Sequence, residues 1–215
     1  MTTRVKICGI VRPEDGAAAA RFDADAIGIV FTRVSPRCVN ATQAREIIAA
    51  VPAGVSVVGL FLDPSSQEVE LVLKQVELDV LQFHGSEPPE FCRQFDRPYI
   101  KTLGFGRDAA GNDSVDPALI DSYADAAALL FDSNVHGAPG GTGRRTDWAA
   151  LPAGNGRAIV LAGGLTPHNV AEAIRTVRPF AVDVSSGVED APGVKNHSKM
   201  QMFINEVRRA DTVTI

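Results

Sequence analysis

Short apolar runs alternate with longer amphipathic ones along the whole chain. The first run, residues 5–8, ends in a thiol and a glycine, Cys8-Gly9. Further strand-like runs fall at 26–31, 55–61, 80–83, 99–102, 128–132, 158–162 and 181–184. They are rich in Val, Ile, Leu and Phe, without the strict alternation of a half-wetted strand, so burial on both faces is expected. Between them the pattern predicts helices over 13–21, from near Thr42 to 51, from Asp63-Pro64-Ser65 to about 76, over 88–95, 117–124, 167–177 and 198–209, plus a short one carrying Trp148 and Leu151. Pro13 with Glu14 and Asp15 marks a helix start, and Thr42 is the expected cap of the second helix. Residues 104–115 and 133–146, rich in glycine and charge, read as loops, and 211–215 as a frayed tail.

Eight strands in alternation with eight helices imply a parallel sheet with right-handed crossovers. Eight such units close naturally into a single-domain (β/α)8 TIM barrel spanning residues 1–215. The alternative is an open doubly wound sheet, but no Gly-x-Gly-x-x-Gly follows the first strand, and the glycine-rich turns come late.

A length of 215 residues suits one domain, with no need of metal or disulfide staples. A net charge of −5 argues against a nucleic-acid partner, whose footprint is basic. No apolar run reaches the roughly 18 residues of a membrane span, and no signal peptide is visible ahead of the first strand. Three cysteines, at 8, 38 and 92, form no Cys-x-x-Cys, which fits a reducing, cytoplasmic setting. His84, His136, His168 and His197 lack metal-ligand spacing, so neither metal nor cofactor is expected.

In a barrel the chemistry sits at the C-terminal ends of the strands. The polar residues there are Cys8, Arg37, Asp63, Gln82, His84, Lys101, Asp132, Gly163, Gly164 and the stretch from Asp183 to Gly187. Gly141 and Gly143 follow the sixth strand, Gly163 and Gly164 the seventh, Ser185, Ser186 and Gly187 the eighth. A phosphate needs several backbone N–H groups at close range, and glycine lets the backbone approach. Cys8 reads either as a small buried hydrophobe or as a reactive thiol, with Lys6 on the same strand face. Lys6 in turn reads as an interior salt pair with Asp183 or as a direct participant. Asp132 closes an apolar strand, as a loop cap or as a carboxyl at the rim. Arg37 is either a fork for a carboxylate or a solvated arginine. Cys38 and Cys92 read as inert, Phe83 and Trp148 as packing, and Arg144-Arg145 and Arg208-Arg209 as solvated surface.

Read together, Lys6-Ile7-Cys8-Gly9, Ser35-Pro36-Arg37, Leu81-Gln82-Phe83-His84-Gly85, Gly140-Gly141-Thr142-Gly143, Leu161-Ala162-Gly163-Gly164-Leu165 and Asp183-Val184-Ser185-Ser186-Gly187-Val188-Glu189 resemble the phosphoribosylanthranilate isomerase family of tryptophan biosynthesis. The resemblance runs from residue 4 to about 209. It departs from the family pattern at Cys38, Thr146, Ala181 and Asn196. It implies an Amadori rearrangement with Cys8 as general base and Asp132 as general acid. It also implies that Arg37 holds the anthranilate carboxylate, and that Gly141, Gly143, Gly164 and Ser185 to Gly187 hold the phosphate. Gln82, His84, Gly163 and Asp183 complete the expected substrate site. The partner is then a small phosphorylated aminosugar, with no membrane, on a monomer or homodimer. A neutral acid and a thiolate must coexist, so Cys8 is expected to ionise more easily than a free thiol. Other phosphate-binding barrels remain open beside this: an indole-glycerol-phosphate synthase-like enzyme, a sugar-phosphate isomerase or epimerase, or a non-catalytic sugar-phosphate sensor.

Overall fold

The computed structural model describes residues 2–104, 106–107, 113–132, 148, 151 and 156–212. Eight parallel strands surround one axis: β1 Arg4–Cys8, β2 Ala26–Val30, β3 Ser56–Phe61, β4 Val80–Phe83, β5 Tyr99–Gly104, β6 Ala128–Asp132, β7 Ile159–Ala162 and β8 Ala181–Val184. Each pairs with its sequence neighbours, and β8 returns to β1 with Arg4 opposite Ala181 and Ile7 opposite Val184. That last pairing closes the ring and excludes the open sheet. Seven helices are described: α1 Pro13–Arg21, α2 Ala41–Ala49, α3 Ser66–Leu73, α4 Pro89–Arg93, α5 Pro117–Ser122, α6 Val170–Val177 and α7 His197–Thr212. Most of the expected short helix at Trp148 and Leu151 lies outside the described residues.

The unbroken apolar character of the strands follows from burial on both faces. Ile7, Ile29, Leu81, Phe83, Leu129, Phe131 and Val182 face outward into the main core under the helices. Val58, Ile100, Ala128, Leu130, Val160, Ala162 and Ala181 fill the barrel interior. Phe83 packs with Phe91 and Phe95 at centroid separations of 5.7 and 5.9 Å, which settles it as core. Toward the C-terminal ends of the strands the buried set turns polar, with Lys6, Gln82, Thr102 and Asp183.

Several local expectations need correction. Asn40, not Thr42, caps α2: its side chain accepts from the Gln43 N–H, and the Gln43 side chain accepts from the Asn40 N–H, both at 3.0 Å. Residues 106–107 and 113–114, inside the expected loop, pair as a short antiparallel ribbon. The C-terminal segment is helical to Thr212, and Asp211 accepts hydrogen bonds from Thr3 N and Oγ1 at 2.8 and 2.6 Å. Arg208 is not free surface: it donates to the Thr3 and Asp23 carbonyls at 2.7 and 2.9 Å. Lys101 points outward from the barrel, where its Nζ meets the Gly85 carbonyl at 2.5 Å and Glu87 Oε2 at 2.7 Å.

Candidate active site

The C-terminal strand ends and their loops surround a cavity of about 280 Å³. Cys8, at the end of β1, and Asp132, at the end of β6, both line it. So do Arg37, Gln82 and His84, the β7 loop residues Gly163 and Gly164, and Asp183, Ser185, Ser186 and Gly187 after β8. Gly141 and Gly143 lie outside the described residues. Val30, Leu60 and Leu62 give one wall an apolar surface suited to a flat ring.

On the β1–β8 side, Lys6 Nζ donates to Asp183 Oδ2 at 2.9 Å, with both side chains under 10% exposed. Burial alone would depress the Lys6 ammonium, but Asp183 and the Cys8 sulfur outweigh it and hold its pKa above the ordinary value. Asp183 Oδ1 is buried and has no hydrogen-bond partner among the described residues. Cys8 departs from expectation. Burial pushes its thiol up and Asp183 adds to this; Lys6 and Lys195 pull it back without cancelling the rise. Of the other thiols, burial pushes Cys92 up to about 12, and Cys38 is likewise raised. Both are consistent with inert sulfur.

On the opposite side, the Gln82 amide Nε2 lies 3.2 Å from Thr102 Oγ1 and 3.3 Å from His84 Nδ1. Thr102 Oγ1 also lies 3.2 Å from His84 Nδ1, so amide, hydroxyl and ring nitrogen form one triangle of contacts that orients the ring. Nε2 faces Asp132 Oδ2 at 3.7 Å. Burial lowers the His84 pKa first, Asp132 and Asp183 oppose it, and Lys6 and Lys101 reinforce it. The ring is therefore neutral near pH 7, a dipole rather than a cation, beside the carboxyl.

The third part is a buried ion cluster that the sequence did not reveal. Arg37 donates through Nε and Nη2 to the two oxygens of Glu189, at 2.8 and 2.6 Å. The expected free fork is thus already occupied by Glu189, and Arg37 reaches the cavity as half of an ion pair. Glu189 also accepts from Lys195 Nζ at 2.8 Å, and Lys195 reaches the Ser185 carbonyl at 3.2 Å. Burial would raise the Glu189 carboxyl; Arg37 and Lys195 outweigh it and hold it below its ordinary range. Gly9 makes room for Arg37: a Cβ there would strike Arg37 Cδ. The signal for Glu189 and Lys195 is a charge directly after a valine, in Val188-Glu189 and in Val194-Lys195. Spacing could not pair them with residue 37. Thr102 was also missed; its inward position follows from strand parity with Ile100.

Among the described residues, no helix is long and apolar enough to cross a membrane. The family model for N-(5'-phosphoribosyl)anthranilate isomerase matches residues 5–206. The N-(5'-phosphoribosyl)anthranilate isomerase of Halorhodospira halophila is 51% identical over 212 residues, 98% of this chain and 99% of that one. The crystal structure of phosphoribosyl anthranilate isomerase from Thermotoga maritima is similar with a TM-score of 0.87 and 37% identity, over 97% of this chain and 100% of that one. A crystal structure of the isomerase in complex with reduced 1-(o-carboxyphenylamino)-1-deoxyribulose 5-phosphate gives a TM-score of 0.79 and 34% identity, over 97% and 100% of the two chains. With motifs, barrel and relatives in agreement over nearly its whole length, the chain belongs to the N-(5'-phosphoribosyl)anthranilate isomerase family.

Proposed function

We propose that this chain converts N-(5-phosphoribosyl)anthranilate to 1-(2-carboxyphenylamino)-1-deoxyribulose 5-phosphate, with Cys8 as general base and Asp132 as general acid. The observation that carries the reading is that Cys8 and Asp132, from strands far apart in the ring, line one cavity with Arg37 and the β7 and β8 loops. The anthranilate carboxylate meets Arg37, and its ring lies on Val30 and Leu60. The phosphate rests on Gly164, Ser185, Ser186 and Gly187, with Gly163 shaping the turn and Gly141 and Gly143 added from the β6 loop. Asp183 Oδ1, a buried acceptor lacking a described partner, takes a sugar hydroxyl. Cys8, Cys38 and Cys92 are free thiols, which suits work in a reducing cytoplasm.

The proton inventory is closed. Asp132 gives a proton to the furanose oxygen as the C1′–O bond breaks, and the nitrogen lone pair forms an iminium. The Cys8 thiolate removes the C2′ proton, and those electrons neutralise the iminium as an enolamine. C1′ then takes a proton from the Cys8 thiol and the C2′ hydroxyl gives one to the Asp132 carboxylate, so the ketone results and both groups return to their starting states. The raised Cys8 pKa makes the thiolate, once formed, a stronger base, and the iminium acidifies the C2′ proton that it removes. Gln82 and Thr102 hold the His84 ring through Nδ1, which turns Nε2 toward Asp132.

The test is turnover of substrate generated in situ from anthranilate and phosphoribosyl pyrophosphate, followed by loss of fluorescence. Cys8→Ala and Asp132→Asn should each lower kcat by about 10²–10⁴, with smaller changes in KM. Substantial turnover in either variant removes that residue from its role.

A further inference from the structure

The mechanism above uses one of two ionisable side chains that β1 sends into the barrel. Lys6 and Cys8 stand two apart, on the same strand face, at 4% and 6% exposure. A buried ammonium demands a partner. Lys6 has one in Asp183 Oδ2, and that pair alone would need nothing from the sulfur. The neighbouring strand changes this. Cys8 sits in register with Gly28 on β2. A Cβ at Gly28 would lie 2.8 Å from Cys8 Sγ and 3.1 Å from Lys6 Nζ. Sulfur and ammonium therefore border one gap that any other residue would fill.

We propose that Lys6 is a positioning residue for proton abstraction: its ammonium, anchored by Asp183, faces the Cys8 sulfur across the gap at Gly28 and stabilises the thiolate, while Asp183 limits how much of that charge the sulfur feels. Lys6 keeps its proton throughout, and the thiol proton leaves to solvent before substrate binds. The pKa directions agree. Lys6 lowers the Cys8 value, Asp183 raises it, and Cys8 in turn raises Lys6. The other charges facing this sulfur are committed elsewhere. Lys195 and Arg37 are both tied to Glu189. On the far wall, His84 is held neutral beside Asp132.

This inference rests on Cys8 being the base, and the experiment separates the two. The rate of iodoacetamide alkylation at Cys8 is followed against pH on the free full-length chain. Mass spectrometry of the Cys8 peptide keeps Cys38 and Cys92 out of the reading. K6M should move the apparent alkylation pKa upward by about one to three pH units, and D183N should move it downward. The acidic limb of the K6M kcat/KM profile should follow its alkylation pKa, with KM at high pH near that of the wild type. A purely structural pair would not give opposite shifts, so shifts of the same sign, or none, overturn the proposal. If K6M does not fold, D183N decides alone: a lower pKa supports the proposal, and an unchanged or higher one ends it. Turnover by Cys8→Ala would instead end the assignment of the base and leave the alkylation result standing.

Discussion

Lys6, Arg37 and Lys195 meet Asp183 and Glu189 along the β1–β8 edge of the cavity, and Glu189 holds two of the three cations. Its carboxylate joins the residue proposed to grip the anthranilate end to the loop proposed to grip the phosphate end. E189Q keeps the shape but leaves Arg37 and the fully buried Lys195 without their counter-charge. Removing one partner of such a cluster costs about 3–5 kcal/mol. Urea titration at pH 7 should show a loss of that order, and KM should rise more than kcat falls, since Arg37 loses its orientation. The pH dependence follows from the direction of the Glu189 shift. Its folded carboxyl lies below the unfolded value of about 4.3, so the stability it contributes is present above that value and is lost as pH falls through the depressed one. E189Q should lack that part of the acid-side decline. Equal stability of variant and wild type at pH 7 would refute the role. Cys8, Arg37 and Asp132 were visible in the sequence because each stands at the end of an apolar run or in a short loop beside one. The pairing of Arg37 with Glu189 was not, because it joins residues 152 apart through a ribbon, Glu189–Ala191 with Val194–Lys195, too short to leave a periodicity.

At the scale of elements, the proposed phosphate end depends on how closely two loops approach. A Cβ at Gly187 would collide with the Leu165 carbonyl oxygen, which is backbone and cannot rotate aside. Gly187→Ala should therefore spread the β7 and β8 loops while leaving the strands paired. Affinity for the reduced product analogue, measured by calorimetry, should fall at least tenfold, or about 1.4 kcal/mol, with an unchanged circular dichroism spectrum. Wild-type affinity would show that these loops do not set the phosphate site. The elements themselves were largely legible, because strands buried on both faces read as plain apolar runs and the helices between them carry start signals. Where the reading slipped, two local solutions competed. Asn40 and Thr42 both suit a cap, and the reciprocal bonds with Gln43 favour Asn40. Lys101 was expected at the mouth from its place near a strand end. Parity turns it outward, because Ile100 and Thr102 take the inward positions. That removes it as the catalytic lysine which a synthase-like reading would require.

For the whole molecule, the proposed chemistry and the terminal clasp occupy opposite ends of one barrel. The cavity opens at the C-terminal ends of the strands, whereas the ring is tied at the N-terminal end, where α7 clasps the start of β1. Asp211 receives two bonds from Thr3, and Arg208 joins the Thr3, Asp23 and Asp25 positions around it. These contacts hold first strand to last helix, and add to the long-range closure that the β8–β1 pairing provides. In a barrel of this kind, the face away from the loops governs stability and the loop face governs reaction. Asp211→Ala removes two charge-assisted bonds at a half-buried site, at a cost of about 1–3 kcal/mol. For a chain of this size that is a fall in Tm of roughly 2–12 °C. At 25 °C, kcat and KM should stay within about twofold of the wild type, because no part of the cavity touches Asp211. Thermal melting and steady-state kinetics on one preparation decide the matter. A variant that melts normally, or one that melts early and also loses kcat at 25 °C, would show that the two ends are not independent. In that case strain at the clasp would have to reach Cys8 along β1, the strand common to both.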